Sequence, residues 1–303
     1  MSNARLIAVD WGTTALRSYV VSATGEIIAR HESGEGILAV AKGDFAAVLS
    51  RTVAQLPAID QSLPIMMSGM IGSRQGWLEA AYVRCPAGLL DLAVRLSEVQ
   101  SPLAHDVFLV PGLDTRGADG IPDVMRGEET QILGALAALD LDDGLFVLPG
   151  THSKWATVSG GRITGFATYM TGEVFAVLRD HTILGRLMAA GGEADAEFER
   201  GVNASLAAGA PGQLLHQIFS ARTLCLTGDL TESGVEPYLS GLLIGSEIRA
   251  AARANDQPVY IMAGSTLAAL YAKAAGIVGL TTVAVDGDSI VRAHLALANA
   301  ANI

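Results

Sequence analysis

The sequence predicts an α/β protein of two lobes, each built on a mixed β-sheet flanked by helices, and three observations lead there. Strand-length apolar runs such as Ile7–Val9 and Ile65–Met67 are interspersed with stretches whose apolar residues recur at helical spacing, such as Ile132, Leu133, Leu136 and Leu139. A three-strand unit near the N-terminus is repeated near the middle of the chain. At 303 residues the chain is long enough for two domains. The expected division is 1–121 and 122–303, with the last helix free to pack back toward the first lobe.

Arg5–Asp10, Leu16–Ser22 and Glu26–Glu32 read as three strands, the Thr24-Gly25 pair making the second turn. This is a β-meander, so it is neither a P-loop nor a dinucleotide fingerprint, both of which need a helix directly after the glycines. A helix follows near Phe45–Gln55, then strands at Pro64–Met67 and in "DVFLVPG", then a helix from Glu128 through "EETQILGALAAL". The segment Leu145–Glu173 repeats the opening grammar, an apolar strand, a Gly-Thr tip, a strand, a Gly-Gly turn and a third strand. Beyond it, Glu173–Leu187 and Pro237–Arg253 read as helices. Val259–Gly264 reads as a strand feeding the helix "STLAALYAKAAG". A last strand, "TTVAV", precedes a terminal helix with Asp288 or Ser289 as its cap.

Composition excludes several classes. No apolar run approaches the roughly 18 residues a membrane span needs, and the N-terminus does not read as a signal peptide, so a cytoplasmic protein is expected. A net charge of −11 without a basic cluster disfavours nucleic acid and anionic membranes. Cys85 and Cys225 lack the spacing of a metal or redox pair and read as buried thiols. The 34 glycines suit tight turns and close backbone approach to a ligand.

The chemistry-bearing residues gather at the turns. At the first hairpin tip Gly12 lets backbone amides approach phosphate oxygens, Thr13 and Thr14 add hydroxyl donors, and Asp10 at the strand end suits a hydrated Mg²⁺. The bland alternative is a polar turn whose threonines satisfy the local backbone. The second tip again offers donors in Gly150, Thr151 and Ser153, with His152 and Lys154 as cationic contacts to a polyphosphate. Gly264, Ser265 and Thr266 form a small-residue turn on which a purine can lie, though Ser265 or Thr266 equally suits an N-cap.

The order of two hairpin phosphate loops and then a hydrophobic strand with a small-residue turn resembles the actin, hexokinase and Hsp70-like ATPase superfamily. That resemblance implies an active site in the interlobe cleft, with Gly264–Thr266 as the adenosine loop. The glycine-rich "IMMSGMIGSRQGW" resembles the sugar loop of carbohydrate kinases and nominates Met70, Ser73, Arg74 and Trp77 as substrate contacts. Together with "VMRGEETQ", "PGTHSKW", "MTGE" and "SGLLIGSE", these segments closely resemble the 2-dehydro-3-deoxygalactonokinases, from Ala8 to about Ala268. Pro149 stands where many ATPases of the superfamily carry an acidic residue, which leaves Asp10 as the metal carboxylate. Val291 and His294 are bulky for residues beside an adenine.

The resemblance implies phosphoryl transfer from ATP, with Mg²⁺, to the terminal 6-hydroxyl of 2-dehydro-3-deoxy-D-galactonate. Glu128 is then the expected base, with Glu129 as alternate, and Asp10 and Lys154 complete the catalytic set. An α-keto acid also carries a carboxylate, for which Arg74, Arg126 and, third, Arg17 are candidates. Alternatives are a kinase of an epimeric acid sugar such as 2-dehydro-3-deoxygluconate, and an ATP-driven conformational protein. A homodimer is compatible with all of them.

Overall fold

The computed structural model of the chain describes residues 3–57, 63–191, 194–207, 213–252 and 257–303. It has the mixed α/β class expected from the sequence. In chain order it carries β1 (Ala4–Trp11), β2 (Leu16–Ser22), β3 (Ile27–Ser33), α1 (Phe45–Ala54), β4 (Ile65–Ser68), β5 (Tyr82–Arg84), β6 (Ala87–Gly88), α2 (Leu89–Ala93), β7 (Ser97–Val99), β8 (Val107–Leu109), β9 (Gly112–Arg116), β10 (Pro122–Met125) and α3 (Glu128–Leu139). There follow β11 (Gly144–Leu148), β12 (Ser153–Ser159), β13 (Arg162–Tyr169), α4 (Thr171–His181), α5 (Ala194–Leu206), α6 (Gln213–Thr227), α7 (Val235–Ala251), β14 (Val259–Ile261), α8 (Ser265–Ile277), β15 (Thr282–Ala284) and α9 (Ile290–Ala300). Contacts cluster into two compact units, one of Met1–Asp143, Ala156–Phe166 and Asp286–Ile303, the other of Gly144–Trp155 and Ala167–Val285. Residues 122–143 therefore group with the first unit, as does α9.

In the first unit the main sheet runs β3-β2-β1-β4-β8-β7. Strands β1 to β3 form the expected antiparallel meander, and β1 also pairs in parallel with β4. The register sets Asp10 between Arg17 on one side and Ser68 on the other. Covered on both faces, β1 reads as a continuous apolar run, and Leu6 to Val9 have no exposed surface. Edge strand β3 alternates instead. One face packs on α1, where Trp11 and Phe45 meet edge to face at 5.8 Å. A smaller sheet, β10-β9-β5, leads through Met125 into α3, which packs on α9.

The second unit holds β11, β14 and β15, paired in parallel in the order β15-β14-β11, together with the start of β12. Helix α7 is buried along most of its length and lies against α5. The expected helix Pro237–Arg253 corresponds to α7, and Arg253 lies outside the described residues.

Several expectations need correction. The helix expected over Glu173–Leu187 stops at His181, because the Thr182 hydroxyl donates to the Leu178 carbonyl at 2.6 Å and accepts from Leu184 N. Neither Asp288 nor Ser289 caps the terminal helix with its side chain. Ser289 holds the N-cap position without a side-chain bond, Asp286 caps the 3-10 turn Gly287–Ser289 ahead of it by accepting from Asp288 N at 3.0 Å, and Asp288 takes the Tyr19 hydroxyl at 3.1 Å and Arg30 at 3.3 Å. Cys85 and Cys225 are half-buried instead of buried. Among the described residues no helix is long and apolar enough to cross a membrane.

Candidate active site

Asp10, at the end of β1, has a side chain 14% exposed, with one oxygen 3.5 Å from the Arg17 guanidinium. Burial pushes its carboxyl up to about 6; Arg17 pulls it down, and the Glu128 and Glu32 carboxylates push it further up. Glu128 therefore stands within electrostatic reach of Asp10, although 118 positions separate them in the chain. Two glycines make this possible. Gly69, at φ +95°, has no room for a Cβ, which would lie 2.8 Å from the Trp11 carbonyl. Gly127, at φ +106°, would bring its own Cβ to 3.0 Å from the Gly69 Cα. The end of β1, the turn after β4 and the turn into α3 thus meet backbone to backbone.

The two glutamates of that turn have different fates. Glu128 is half-buried and accepts from Arg126 N at 2.9 Å. Glu129 has no exposed surface; it accepts from Gly127 N at 2.8 and 2.9 Å and from the Thr130 hydroxyl at 2.9 Å. Burial pushes its carboxyl up to about 8, the neighbouring Glu128 adds to this, and its hydrogen bonds only partly offset it.

The candidate substrate residues separate in the same way. Arg74 is exposed and pairs with Glu79 at 3.4 Å. Arg17 is spent on Asp10 and on Glu32, at 3.2 Å. Arg126 is 7% exposed; its Nη2 donates to the Ala80 carbonyl at 2.7 Å, its guanidinium lies 4.4 Å from the centre of the Tyr82 ring, and its Nε and Nη1 meet no acceptor. Trp77 and Met70 are not free to face a ligand with their whole surface, because both pack against the core of the main sheet. The Ser73 hydroxyl accepts from Gln75 N within its own turn. Thr13 and Thr14 are exposed at the first tip, and Gly12 N is tied to the Ala15 carbonyl at 2.9 Å.

In the second unit, a cavity of about 590 Å³ is walled by Gly150–His152, the length of α4, Leu243 and Ile244 of α7, and Leu267, Leu270 and Tyr271 of α8. His152 and Glu173 face each other across its rim, 2.5 Å apart. Gly264, Ser265 and Thr266 are exposed just ahead of the α8 residues that line it, and Gly264 is the N-cap. The glycine loop and the N-terminus of α4 both line the cavity and are tied together by Glu173 N donating to the Thr151 carbonyl at 3.0 Å, while the remaining walls are mostly apolar.

Lys154 follows that loop. It is 7% exposed, and its side chain has no hydrogen-bond or ion-pair partner among the described residues. Ser153, expected among the phosphate donors, is corrected by the structure. It is fully buried, and its hydroxyl donates to Glu247 at 2.6 Å. Val291 and His294, weighed as neighbours of an adenine, are buried in the first unit, where the His294 ring meets the Ser68 hydroxyl at 3.0 Å. Glu247, Tyr82 and His294 carry roles that the sequence reading did not assign. The signal was present for Glu247, an acid next to Ser246 in the run Leu242–Ile248, whose other residues carry no polar side chain.

Asp10 fits a magnesium ion. It is a strand-end carboxylate with an accessible fraction and no neutralising partner closer than 3.5 Å. Magnesium commonly uses one or two carboxylates together with substrate phosphates and water.

A family profile described as 2-keto-3-deoxy-galactonokinase matches residues 10–298. A Rhizobium meliloti (strain 1021) protein named "Probable 2-dehydro-3-deoxygalactonokinase DgoK1" is 39% identical over 96% of this chain and 95% of its own. The 2-dehydro-3-deoxygalactonokinase of Escherichia coli (strain K12) is 34% identical over 96% of both. A Sinorhizobium meliloti crystal structure carrying the same enzyme name superposes with a TM-score of 0.84 at 37% identity, covering 97% of this chain and 98% of that one. The ADPNP-bound activator of 2-hydroxyisocaproyl-CoA dehydratase from Clostridium difficile shares the fold alone, with a TM-score of 0.52 at 11% identity over 98% and 96% of the two chains. Matched along nearly its whole length in sequence and in fold, the chain belongs to the 2-keto-3-deoxy-galactonokinase family.

Proposed function

We propose that the protein phosphorylates the terminal hydroxyl of 2-dehydro-3-deoxy-D-galactonate with MgATP, as a kinase of galactonate catabolism in the cytoplasm. One observation carries the chemistry. In a chain of net charge −11, Lys154 is an almost buried cation with no acid partner among the described residues, and it directly follows a glycine loop. A cation this little exposed and without an acid partner suits an anionic ligand at the loop.

In this reading the cavity along α4 holds the nucleotide. The base lies against the apolar α7 and α8 walls, and the phosphates lie toward Gly150–His152 and the start of α4. Lys154 neutralises charge that builds on the transferred group, where positioning and electrostatics do most of the work. Asp10 would hold Mg²⁺, which supplies charge neutralisation on the phosphates. Glu128, half-buried at the start of α3, accepts the proton of the attacking hydroxyl. Glu129 is sealed from any substrate, so the base role goes to its neighbour. Arg126 is the preferred grip for the carboxylate, because its Nε and Nη1 carry no acceptor, whereas Arg17 and Arg74 are already paired. Those atoms are closed off from solvent, so the 69–80 loop has to give way to admit the carboxylate.

The test is a coupled ADP-release assay with MgATP and, in turn, 2-dehydro-3-deoxy-D-galactonate, its gluconate epimer and no acceptor. Turnover with the galactonate acid is expected. Preference for the epimer would move the substrate, and ATP hydrolysis indifferent to either acid would refute the kinase.

A further inference from the structure

Glu247 is 3% exposed on α7, yet among the described residues no cation meets it. Its carboxylate is satisfied by three neutral donors. Ser153 Oγ and Trp155 Nε1 reach one oxygen at 2.6 and 2.7 Å, and Tyr271 Oη reaches the other at 2.8 Å. The donors come from one element that walls the cavity and from the strand that follows its glycine loop. Ser153 and Trp155 open β12 directly after the loop Gly150–His152, and Tyr271 lines the cavity from α8. Apolar packing could fasten the same elements without burying a charge. What the carboxylate adds is direction, since each donor must point at a particular oxygen.

The consequence falls on Lys154. Side chains alternate along a strand, so with Ser153 and Trp155 both turned toward Glu247, Lys154 between them faces the other way. A rotation of the start of β12 would move the ammonium and the loop amides together. We infer that Glu247 is a positioning residue for the nucleotide: by gripping both ends of Ser153-Lys154-Trp155 and the α8 wall at once, it fixes the phosphate loop against the base pocket. This rests on the reading of the cavity as the nucleotide site.

The test compares E247L, E247Q and Y271F in the full-length protein, with KM for MgATP, KM for the acid sugar and melting temperature measured on each. A glutamine can keep every contact, its carbonyl accepting from Ser153 and Trp155 and its amide donating to the Tyr271 oxygen. E247L is expected to raise the MgATP KM about tenfold or more while the acid-sugar KM stays within about twofold. E247Q is expected to restore the MgATP KM to within about threefold, and Y271F to show a smaller rise of the same kind. A folded E247L with a wild-type MgATP KM would overturn the inference. If E247L does not fold, an unchanged MgATP KM in Y271F does so instead. A wild type that never saturates with MgATP overturns the nucleotide reading itself, and this inference with it.

Discussion

Glu128 and Glu129 are adjacent in sequence, and substituting each by glutamine separates their roles. For Glu129 the effect is on stability. Its carboxyl rises from an ordinary 4.5 to about 8, chiefly through burial. Between those values the folded protein holds a proton that the unfolded chain has released. Stability therefore falls as pH rises through that window, by about 1.4 kcal/mol per pH unit, and levels off above 8. Over the full rise of 3.5 pH units the ionised carboxylate costs the fold about 5 kcal/mol, an upper figure because the buried site relaxes. Glu129→Gln carries no charge and lacks this slope. It should be less stable than wild type near pH 5, by about 1 kcal/mol for the disturbed bonds to Gly127 and Thr130, and more stable than wild type above pH 8. Urea unfolding at intervals from pH 5 to 9 reads the crossing directly. Turnover at pH 7 should survive in Glu129→Gln and fall by about a hundredfold or more in Glu128→Gln. Parallel stability curves for wild type and Glu129→Gln would refute the burial argument, and the opposite pattern of turnover would refute the assignment of the base.

Lys154→Met should abolish most turnover, by about a hundredfold or more, with a thermal melt of the ligand-free protein checking that the fold is kept. Arg126→Met should raise the acid-sugar KM about tenfold and leave the MgATP KM unchanged, and Arg126→Lys should not rescue it, since lysine lacks the planar fork. Burial holds the His294 imidazole down to about 3, so its contribution to stability is complete above pH 6.5 and is lost as pH falls toward 3. His294→Leu should flatten that acid limb in melting curves from pH 4 to 7, at the cost of the bond to Ser68.

How legible this was in the sequence depended on the range of the interaction that decides each feature. The meander β1 to β3, its repeat at β11 to β13, and helices α1, α3, α7 and α8 rest on local periodicity and turn glycines, and the reading placed each within a few residues. Helices α5 and α6 were not singled out. The buried face of α5 is Phe198, Gly201, Val202 and Ser205, half of it glycine and serine, so its amphipathic stripe does not show as apolar residues. The glycine is there because α7 approaches too closely for a side chain; a Cβ at Gly201 would lie 2.0 Å from the Tyr238 carbonyl.

By itself the sequence determined the fold class, the two hairpin tips, the acidic strand end at Asp10 and the helix start that carries Glu128. These follow from short-range sterics and from motifs that leave their mark on consecutive residues. Only the tertiary structure decided which of two neighbouring glutamates is sealed, that Ser153 serves a carboxylate 94 positions away, and that His294 sits under Ser68 across 226 positions. Burial and hydrogen-bond partnership are set by residues brought together from distant parts of the chain, and one residue's own neighbourhood in sequence holds no record of them.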